Sequence, residues 1–154
     1  MFNRAEARVD LERITANIKH LKQLSSTPVM AVVKADAYGH GLVPVAKAAL
    51  EAGATSLGVA LLEEAITLRQ AGITAPILAW LVPPGSDYTL AVDNNIELAA
   101  SSIKALEEIG AVKSEFRPKV HLEVDTGMTR GGFLAEWGKI DGHHVANLDI
   151  VGIF

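Results

Sequence analysis

Short apolar segments recur along this chain at intervals of about 20 to 30 residues, and stretches with helical periodicity lie between them. This alternation of strand and helix is typical of βαβ units, which form parallel sheets. Six such units are compatible with a doubly wound sheet or with part of an eight-stranded barrel, and the alternation alone does not distinguish the two. The predicted strands are 30–34, 55–60, 76–80, 96–99, 118–124 and 148–154.

The helical segments between these strands carry recognisable start signals. The first has an apolar stripe at three- and four-residue spacing over 11–24, and Asp10 can cap its N-terminus. Ser101 or Ser102 can cap a later helix that runs through Glu108. The other predicted helices are 43–52, 63–71 and 88–92.

The segment Met30–Gly41 joins an apolar strand to a polar turn spaced by glycines. Side chains alternate along a strand, so Met30, Val32 and Lys34 share one face, and we expect a buried strand to deliver the amine of Lys34. Desolvation favours the neutral amine, which is the form that acts as a nucleophile or a base. Position alone also fits an ordinary lysine whose ammonium group reaches water at the strand end.

Composition narrows the classes of protein to consider. The chain has a formal net charge of -4 and no dense run of basic residues, which argues against non-specific binding to nucleic acid. It has no cysteine, so disulfides, thiolate metal sites and cysteine nucleophiles are excluded. Charged residues near the N-terminus and the absence of a long apolar run predict a cytoplasmic protein.

Two sequence blocks resemble the alanine racemase family and occur in the order that the family has them. Val-Val-Lys-Ala-Asp-Ala-Tyr-Gly-His-Gly over 32–41 resembles the family's pyridoxal-phosphate lysine signature. His-Leu-Glu-Val-Asp-Thr-Gly-Met-Thr-Arg-Gly-Gly-Phe over 121–133 resembles its arginine segment. The resemblance covers essentially the whole chain. It implies an α/β fold, the (β/α)8 TIM-type barrel, of which this chain covers about the first six βα strands.

The resemblance implies roles for four residues. Lys34 would bind pyridoxal 5'-phosphate as a Schiff base and then act as one of two bases at the substrate α-carbon. Tyr38 would hydrogen-bond the cofactor phosphate. Arg130 would contact the cofactor phenolate oxygen and steer the substrate carboxylate, which the backbone amide of Met128 would also bind. The ordinary alternatives are a half-buried ring for Tyr38, a surface ion pair for Arg130 and core filling for Met128.

Glu123 departs from the family, which usually has a carbamylated lysine at this position to orient the arginine. Strand alternation places His121, Glu123 and Asp125 on one polar face, which we expect to look into the mouth of the barrel. Glu123 would therefore support Arg130 as an anion that needs no modification. The alternative is a glutamate that is bonded only to local partners.

Other polar residues are interpreted as structural. Asp36 and His40 are expected to shape the turn after Lys34. No third ligand is spaced to form a metal site with His143 and His144, so a solvated loop is the preferred interpretation and no metal is predicted. Two pairs of adjacent glutamates are expected on solvated helix faces: Glu63 with Glu64 and Glu107 with Glu108.

The resemblance implies interconversion of L-alanine and D-alanine by two-base proton transfer on pyridoxal phosphate, with D-alanine supplied for peptidoglycan. It also implies a homodimer whose active site is completed by a tyrosine from the partner's C-terminal β domain. Two alternatives stay open: a racemase or decarboxylase of the same fold type with another amino acid as substrate, and a non-catalytic barrel that binds pyridoxal phosphate.

Chain length bears on how much of that enzyme is present. A full barrel needs about 250 residues, so we expect 1–154 to be the N-terminal part of the barrel domain, without the C-terminal β domain and inactive alone. The segment between Phe133 and Ile150 is short and broken by glycine, whereas the relatives carry a full helix there.

Overall fold

The computed structural model describes residues 5–154, which fold into one parallel sheet with helices between successive strands. The strands are β1 Met30–Val32, β2 Ser56–Val59, β3 Ile77–Ala79, β4 Glu97–Ala100, β5 Lys119–Leu122 and β6 Asp149–Ile153. The helical elements are α1 Leu11–Leu24, α2 Lys34–Gly39, α3 Leu42–Glu51, α4 Leu62–Gln70, α5 Tyr88–Asp93, α6 Ile103–Gly110 and α7 Gly142–Val145.

The order of the strands distinguishes between the two candidate architectures. The six strands lie side by side in chain order, and every neighbouring pair is parallel. A doubly wound sheet reverses its strand order at a switch point, whereas a (β/α)8 barrel adds each strand beside the previous one. The structure therefore confirms the predicted fold class, with these residues forming the first six strands of the barrel wall.

The main core lies between the outer face of this wall and the helices that cover it. Leu57, Ile77 and Leu98 come from three adjacent strands and are fully buried against helix residues such as Leu68 and Leu106. These strand residues alternate with residues that face the barrel interior. Packing against the helices thus holds the wall from its outer face. The C-terminal ends of the strands are free to contribute residues to a functional site.

Most predicted elements are confirmed to within one or two residues. Asp10 caps α1 by accepting a hydrogen bond from the backbone N–H of Arg13, and Ser102 caps α6 through the N–H of Ala105. The segment between Phe133 and Ile150 contains only a 3-10 turn and α7, so no full helix occurs there. The charged N-terminal residues 1–4 lie outside the described part of the chain.

The prediction that β1 is a buried strand that includes Lys34 is wrong. The strand ends at Val32, and Lys34 begins the turn that follows. Met30 and Val32 are 37% and 41% exposed because they face the barrel interior, which is open between β1 and β6 in the described residues. Val33 points to the helices instead and is buried.

Arg69, in the last turn of α4, forms hydrogen bonds with the loops that precede both β3 and β4. Its guanidinium donates hydrogen bonds to the backbone carbonyl oxygens of Ile73 and Ala75, both at 2.7 Å, and of Asn94 and Asn95, at 2.9 and 2.8 Å. These carbonyls belong to the loops that lead into β3 and β4. Burial lowers the pKa of the Arg69 guanidinium from its ordinary value, and the four acceptors replace the water that it loses.

Replacing Arg69 with alanine is expected to lower the free energy of unfolding by about 3 kcal/mol, because four carbonyls lose a charged donor. Arg69→Lys should fall between alanine and the wild type, since an ammonium group cannot reproduce the planar fork. Urea unfolding measures both values. A change below about 0.5 kcal/mol for Arg69→Ala, the size typical of a surface substitution, would contradict this role.

The described residues give no sign of a metal centre or a membrane span. Asp141 caps α7 by accepting from the backbone N–H groups of His143 and His144, and these hydrogen bonds lower the pKa of Asp141. No group of three potential ligands within 5–154 is placed to hold a metal ion. None of the helices in this range is both long enough and apolar enough to cross a bilayer.

Candidate active site

A cavity of about 570 Å³ opens at the C-terminal ends of the strands, on the inner face of the wall. Its size lies within the range of small-molecule sites, and this end of the barrel is where such sites occur in this fold. The cavity brings together the predicted residues from both sequence blocks. Its polar and aromatic lining includes Lys34, Tyr38, Trp80, His121, Glu123 and Arg130.

The ammonium group of Lys34 lies near two aromatic rings. Its Nζ atom is 5.9 Å from the centre of the Tyr38 ring and 6.0 Å from the centre of the Trp80 ring. Rings at this distance attract a cation through their negative faces. Trp80 follows β3 and was not singled out from the sequence. Gly58 on β2 makes room for it, because a Cβ there would lie 2.8 Å from the Trp80 ring.

The turn that carries Lys34 into the cavity is left-handed. Ala35, Asp36, Ala37 and Tyr38 have φ between 51° and 56°, so four consecutive residues other than glycine adopt this conformation. A left-handed helical turn costs roughly 1–2 kcal/mol for each such residue. Strain of this size persists only where the surroundings hold it in place, and it is common at functional sites.

Several hydrogen bonds hold this turn. The Asp36 side chain accepts from the N–H of Leu42 at 2.7 Å, and the Asp36 carbonyl accepts from the N–H of Gly41 at 2.9 Å. The His40 ring lies 2.9 Å from the carbonyl oxygen of Ala37. Asp36 and His40 therefore shape the turn, as the sequence predicted.

Glu64 also contacts this turn, and the prediction that it lies on a solvated helix face is wrong. One carboxylate oxygen accepts a hydrogen bond from the N–H of Ala35 at 2.6 Å. The other accepts from the N–H groups of Ala60 and Leu61, both at 3.0 Å. Glu108 shows the same behaviour elsewhere, since it accepts from the N–H of Gly85 at 2.6 Å. Both carboxylates satisfy backbone donors in neighbouring loops.

The second sequence block forms a loop that is closed at its base. Val124 pairs with Phe133 in an isolated β-bridge, and the Asp125 carboxylate accepts from the N–H groups of Gly127 and Thr129, both at 2.9 Å. These backbone donors lower the pKa of Asp125. Asp125 thus fixes the curve of the loop that carries Arg130.

The two residues of this loop that were predicted to contact the substrate are Arg130 and Met128. Arg130 lines the cavity together with Lys34. The side chain of Met128 is 73% exposed at the rim, rather than packed in a core.

Glu123 faces the cavity beside Arg130, as strand alternation predicted, but the two residues form no ion pair in the described part of the chain. Its carboxylate lies against Gly131, where a Cβ would come within 3.2 Å of Oε1. Both groups also line an adjoining cavity with Lys34.

His121 and Glu97 form a polar pair deeper in the barrel. Their side chains are 15% and 14% exposed, and His121 Nε2 lies 2.7 Å from Glu97 Oε2. The hydrogen bond from His121 is the main reason that the pKa of Glu97 is lowered, and the charges of His121, Lys119 and Arg69 add to it. Sequence alternation placed His121 on the inner face but did not identify its partner on β4.

This pair predicts a pH-dependent contribution to stability. Because the pKa of Glu97 is lower in the folded protein than its ordinary value of 4.5, its stabilising effect is complete above that value and is lost as the pH falls below it. Urea unfolding of the wild type and of Glu97→Gln should differ most near neutral pH, and the difference should shrink in acid. A constant difference at every pH would contradict the assignment.

The wall and the cavity define a class: a (β/α)8-barrel protein with a small-molecule site, lined by a lysine and an arginine, at the C-terminal ends of its strands. A family model described as the N-terminal domain of alanine racemase matches residues 9–154. The chain therefore belongs to the alanine racemase N-terminal domain family. It is 50% identical over 141 residues to an alanine racemase from Thermobifida fusca, and the match covers 89% of this chain and 38% of that protein.

Solved structures agree with this assignment. The alanine racemase of a D-cycloserine-producing Streptomyces lavendulae has a TM-score of 0.90 and 38% identity, covering 94% of this chain and 40% of that one. A histidine racemase from Leuconostoc mesenteroides has a TM-score of 0.76 and 35% identity, covering 82% of this chain and 35% of that one. The chain thus spans about two fifths of the length of its alanine racemase relatives.

Proposed function

We propose that this chain is the cofactor-binding part of an alanine racemase that uses pyridoxal 5'-phosphate. The observation that carries the proposal is the meeting of Lys34 and Arg130 in one cavity at the ends of β1 and β5. An amine and a guanidinium in one small-molecule site suit an amino-acid substrate, whose carboxylate pairs with arginine. Membership in the family supplies the reaction class.

The residues present fit pyridoxal phosphate. The amine of Lys34 could bind its aldehyde, and the guanidinium of Arg130 could pair with its phenolate oxygen. The phenol of Tyr38 could donate a hydrogen bond to its phosphate. The rings of Tyr38 and Trp80 beside Lys34, with Met30 and Val32 next to them, offer an apolar and aromatic lining for the pyridine ring. Lys34, Tyr38 and Arg130 would hold the cofactor.

Pyridoxal phosphate supplies the electron sink that makes the substrate α-proton acidic. Lys34 would carry that proton on its Nζ atom at one face of the α-carbon. Arg130 would orient the substrate by its carboxylate, with Met128 at the rim as a second contact. Glu123 would keep the guanidinium in place as a nearby anion.

Racemisation also needs a proton carrier on the opposite face of the α-carbon. We propose that it comes from outside this chain, from the C-terminal domain of a second subunit in a homodimer, as the family resemblance implies. The product would be D-alanine for peptidoglycan, made in the cytoplasm. These statements on partner and location are predictions from the resemblance.

A second candidate is racemisation of a different amino acid, and one observation favours keeping it. The histidine racemase described above matches the same barrel segment at nearly the same identity as the alanine racemase structure. A protein with this barrel segment can therefore be a racemase named for an amino acid other than alanine. Substrate choice within this family must be decided by experiment.

The test is α-proton exchange in deuterated water. The protein as its gene encodes it, supplied with pyridoxal phosphate, is incubated separately with L-alanine and L-histidine. We expect deuterium to enter alanine as D-alanine appears, with a kcat/KM at least about 100-fold higher than for histidine. The reverse preference would support the second candidate, and exchange with neither amino acid would contradict racemisation of alanine and of histidine.

A further inference from the structure

Glu64 is unusual in linking two different strand-to-helix junctions. Its bonds to the N–H groups of Ala60 and Leu61 are local, because they lie just before α4, which contains Glu64. The 2.6 Å bond to the N–H of Ala35 crosses 29 residues of sequence and reaches the turn after β1. Local capping explains the first two bonds but not the third.

The third bond acts on the peptide unit that follows Lys34. The N–H of Ala35 belongs to that unit, so holding it sets the direction in which the backbone leaves Lys34. Ala35 is also the first of the four left-handed residues. The hydrogen bond from the N–H of Ala35 to the Glu64 carboxylate therefore holds the strained turn at its first residue. The backbone direction at this point determines the position of the Lys34 side chain.

We propose that Glu64 is a positioning residue for Lys34. The half-buried carboxylate of Glu64 on α4 fixes the turn that places the amine of Lys34 near the rings of Tyr38 and Trp80. Glu64 does not line the main cavity, so it acts through the backbone of Ala35 and not on the ligand. The catalytic part of this inference rests on the proposed function of Lys34, whereas the backbone part does not.

The chain offers a matched control. Glu63 is the neighbouring residue in the first turn of α4, carries the same charge and has an exposed side chain. Glu63→Ala removes a negative charge at the same helix end without removing the bond to Ala35. Glu64→Gln keeps the shape but leaves a single carbonyl oxygen for three N–H donors.

The first measurement is amide hydrogen exchange, which needs no cofactor. Loss of a charged acceptor is expected to speed exchange at Ala35 by about 10- to 100-fold in Glu64→Ala, and by less in Glu64→Gln. The Leu57 amide, bonded to the carbonyl oxygen of Pro76 between β2 and β3, reports general loosening of the sheet. Faster exchange at Ala35 alone supports the inference. Equal acceleration at both amides, or none at Ala35, overturns it.

The second measurement follows the lysine in the encoded protein with pyridoxal phosphate. Borohydride should fix the cofactor onto Lys34 at least about tenfold more slowly in Glu64→Ala, with kcat lowered more than KM is raised, because a misplaced amine slows chemistry. Glu63→Ala should match the wild type. Normal fixation and kcat in Glu64→Ala would overturn the catalytic part. If wild-type Lys34 takes up no cofactor, the proposed function fails, and exchange at Ala35 still decides the positioning role.

Discussion

Under the proposed function, replacing Lys34 with alanine in the encoded protein is expected to lower kcat for alanine racemisation by about 1,000-fold or more. The substitution removes both the covalent attachment point and the base on one face, and each of these contributes orders of magnitude. Lys34→Arg keeps the positive charge but offers no nucleophilic amine, so it should be equally impaired. Chiral analysis of the alanine formed measures the loss.

Two comparisons separate chemistry from folding in this experiment. Lys47→Ala removes an exposed lysine from α3 and should leave kcat unchanged. Added methylamine should partly restore the activity of Lys34→Ala, since a small amine can enter the space left by the side chain. Activity of Lys34→Ala within tenfold of the wild type would contradict the role of Lys34.

Replacing Arg130 with alanine is expected to lower kcat/KM by about 100-fold or more, through loss of a charged partner for the substrate carboxylate and the cofactor oxygen. Arg130→Lys should recover only part of this, because an ammonium group cannot bind two acceptors as a planar fork does. Steady-state kinetics with alanine measures both variants.

Glu123 adds a second part to this prediction. Glu123→Gln should weaken substrate binding or turnover, by less than Arg130→Ala does, because it removes the anion near the guanidinium and keeps the shape. Removal of bicarbonate should have no effect, since a glutamate needs no carbamylation. Kinetics of Glu123→Gln that match the wild type, beside a severely impaired Arg130→Ala, would show that another group orients Arg130. The Asp125-bound loop is then the strongest alternative.

The sequence predicted the wall of the barrel well because its strands and helices depend on local patterns. Alternation also placed His121 and Glu123 on the inner face of the wall correctly. The alternation of strands and helices is equally compatible with a doubly wound sheet, because strand order depends on contacts between distant segments. The structure resolved it through the pairing of neighbouring strands.

The errors concern contacts between distant parts of the chain. Four consecutive left-handed residues without glycine are not signalled by local propensity, so Lys34 was placed within a strand. Sequence alone does not distinguish a solvated glutamate in a first helical turn from one that accepts a hydrogen bond from a distant backbone N–H. The N–H group of Ala35, which donates to Glu64, lies 29 residues away in sequence. Trp80 was missed because its neighbour Lys34 lies in the turn after a different strand, β1.

The most direct test of the account is where the cofactor attaches. The encoded protein is loaded with pyridoxal phosphate, reduced with borohydride and digested, and the modified peptide is identified by mass. The account predicts that the reduced cofactor is found on Lys34, in the peptide that includes Tyr38. Attachment to another lysine, or no attachment while Lys34 is intact and the cofactor is present, would contradict it.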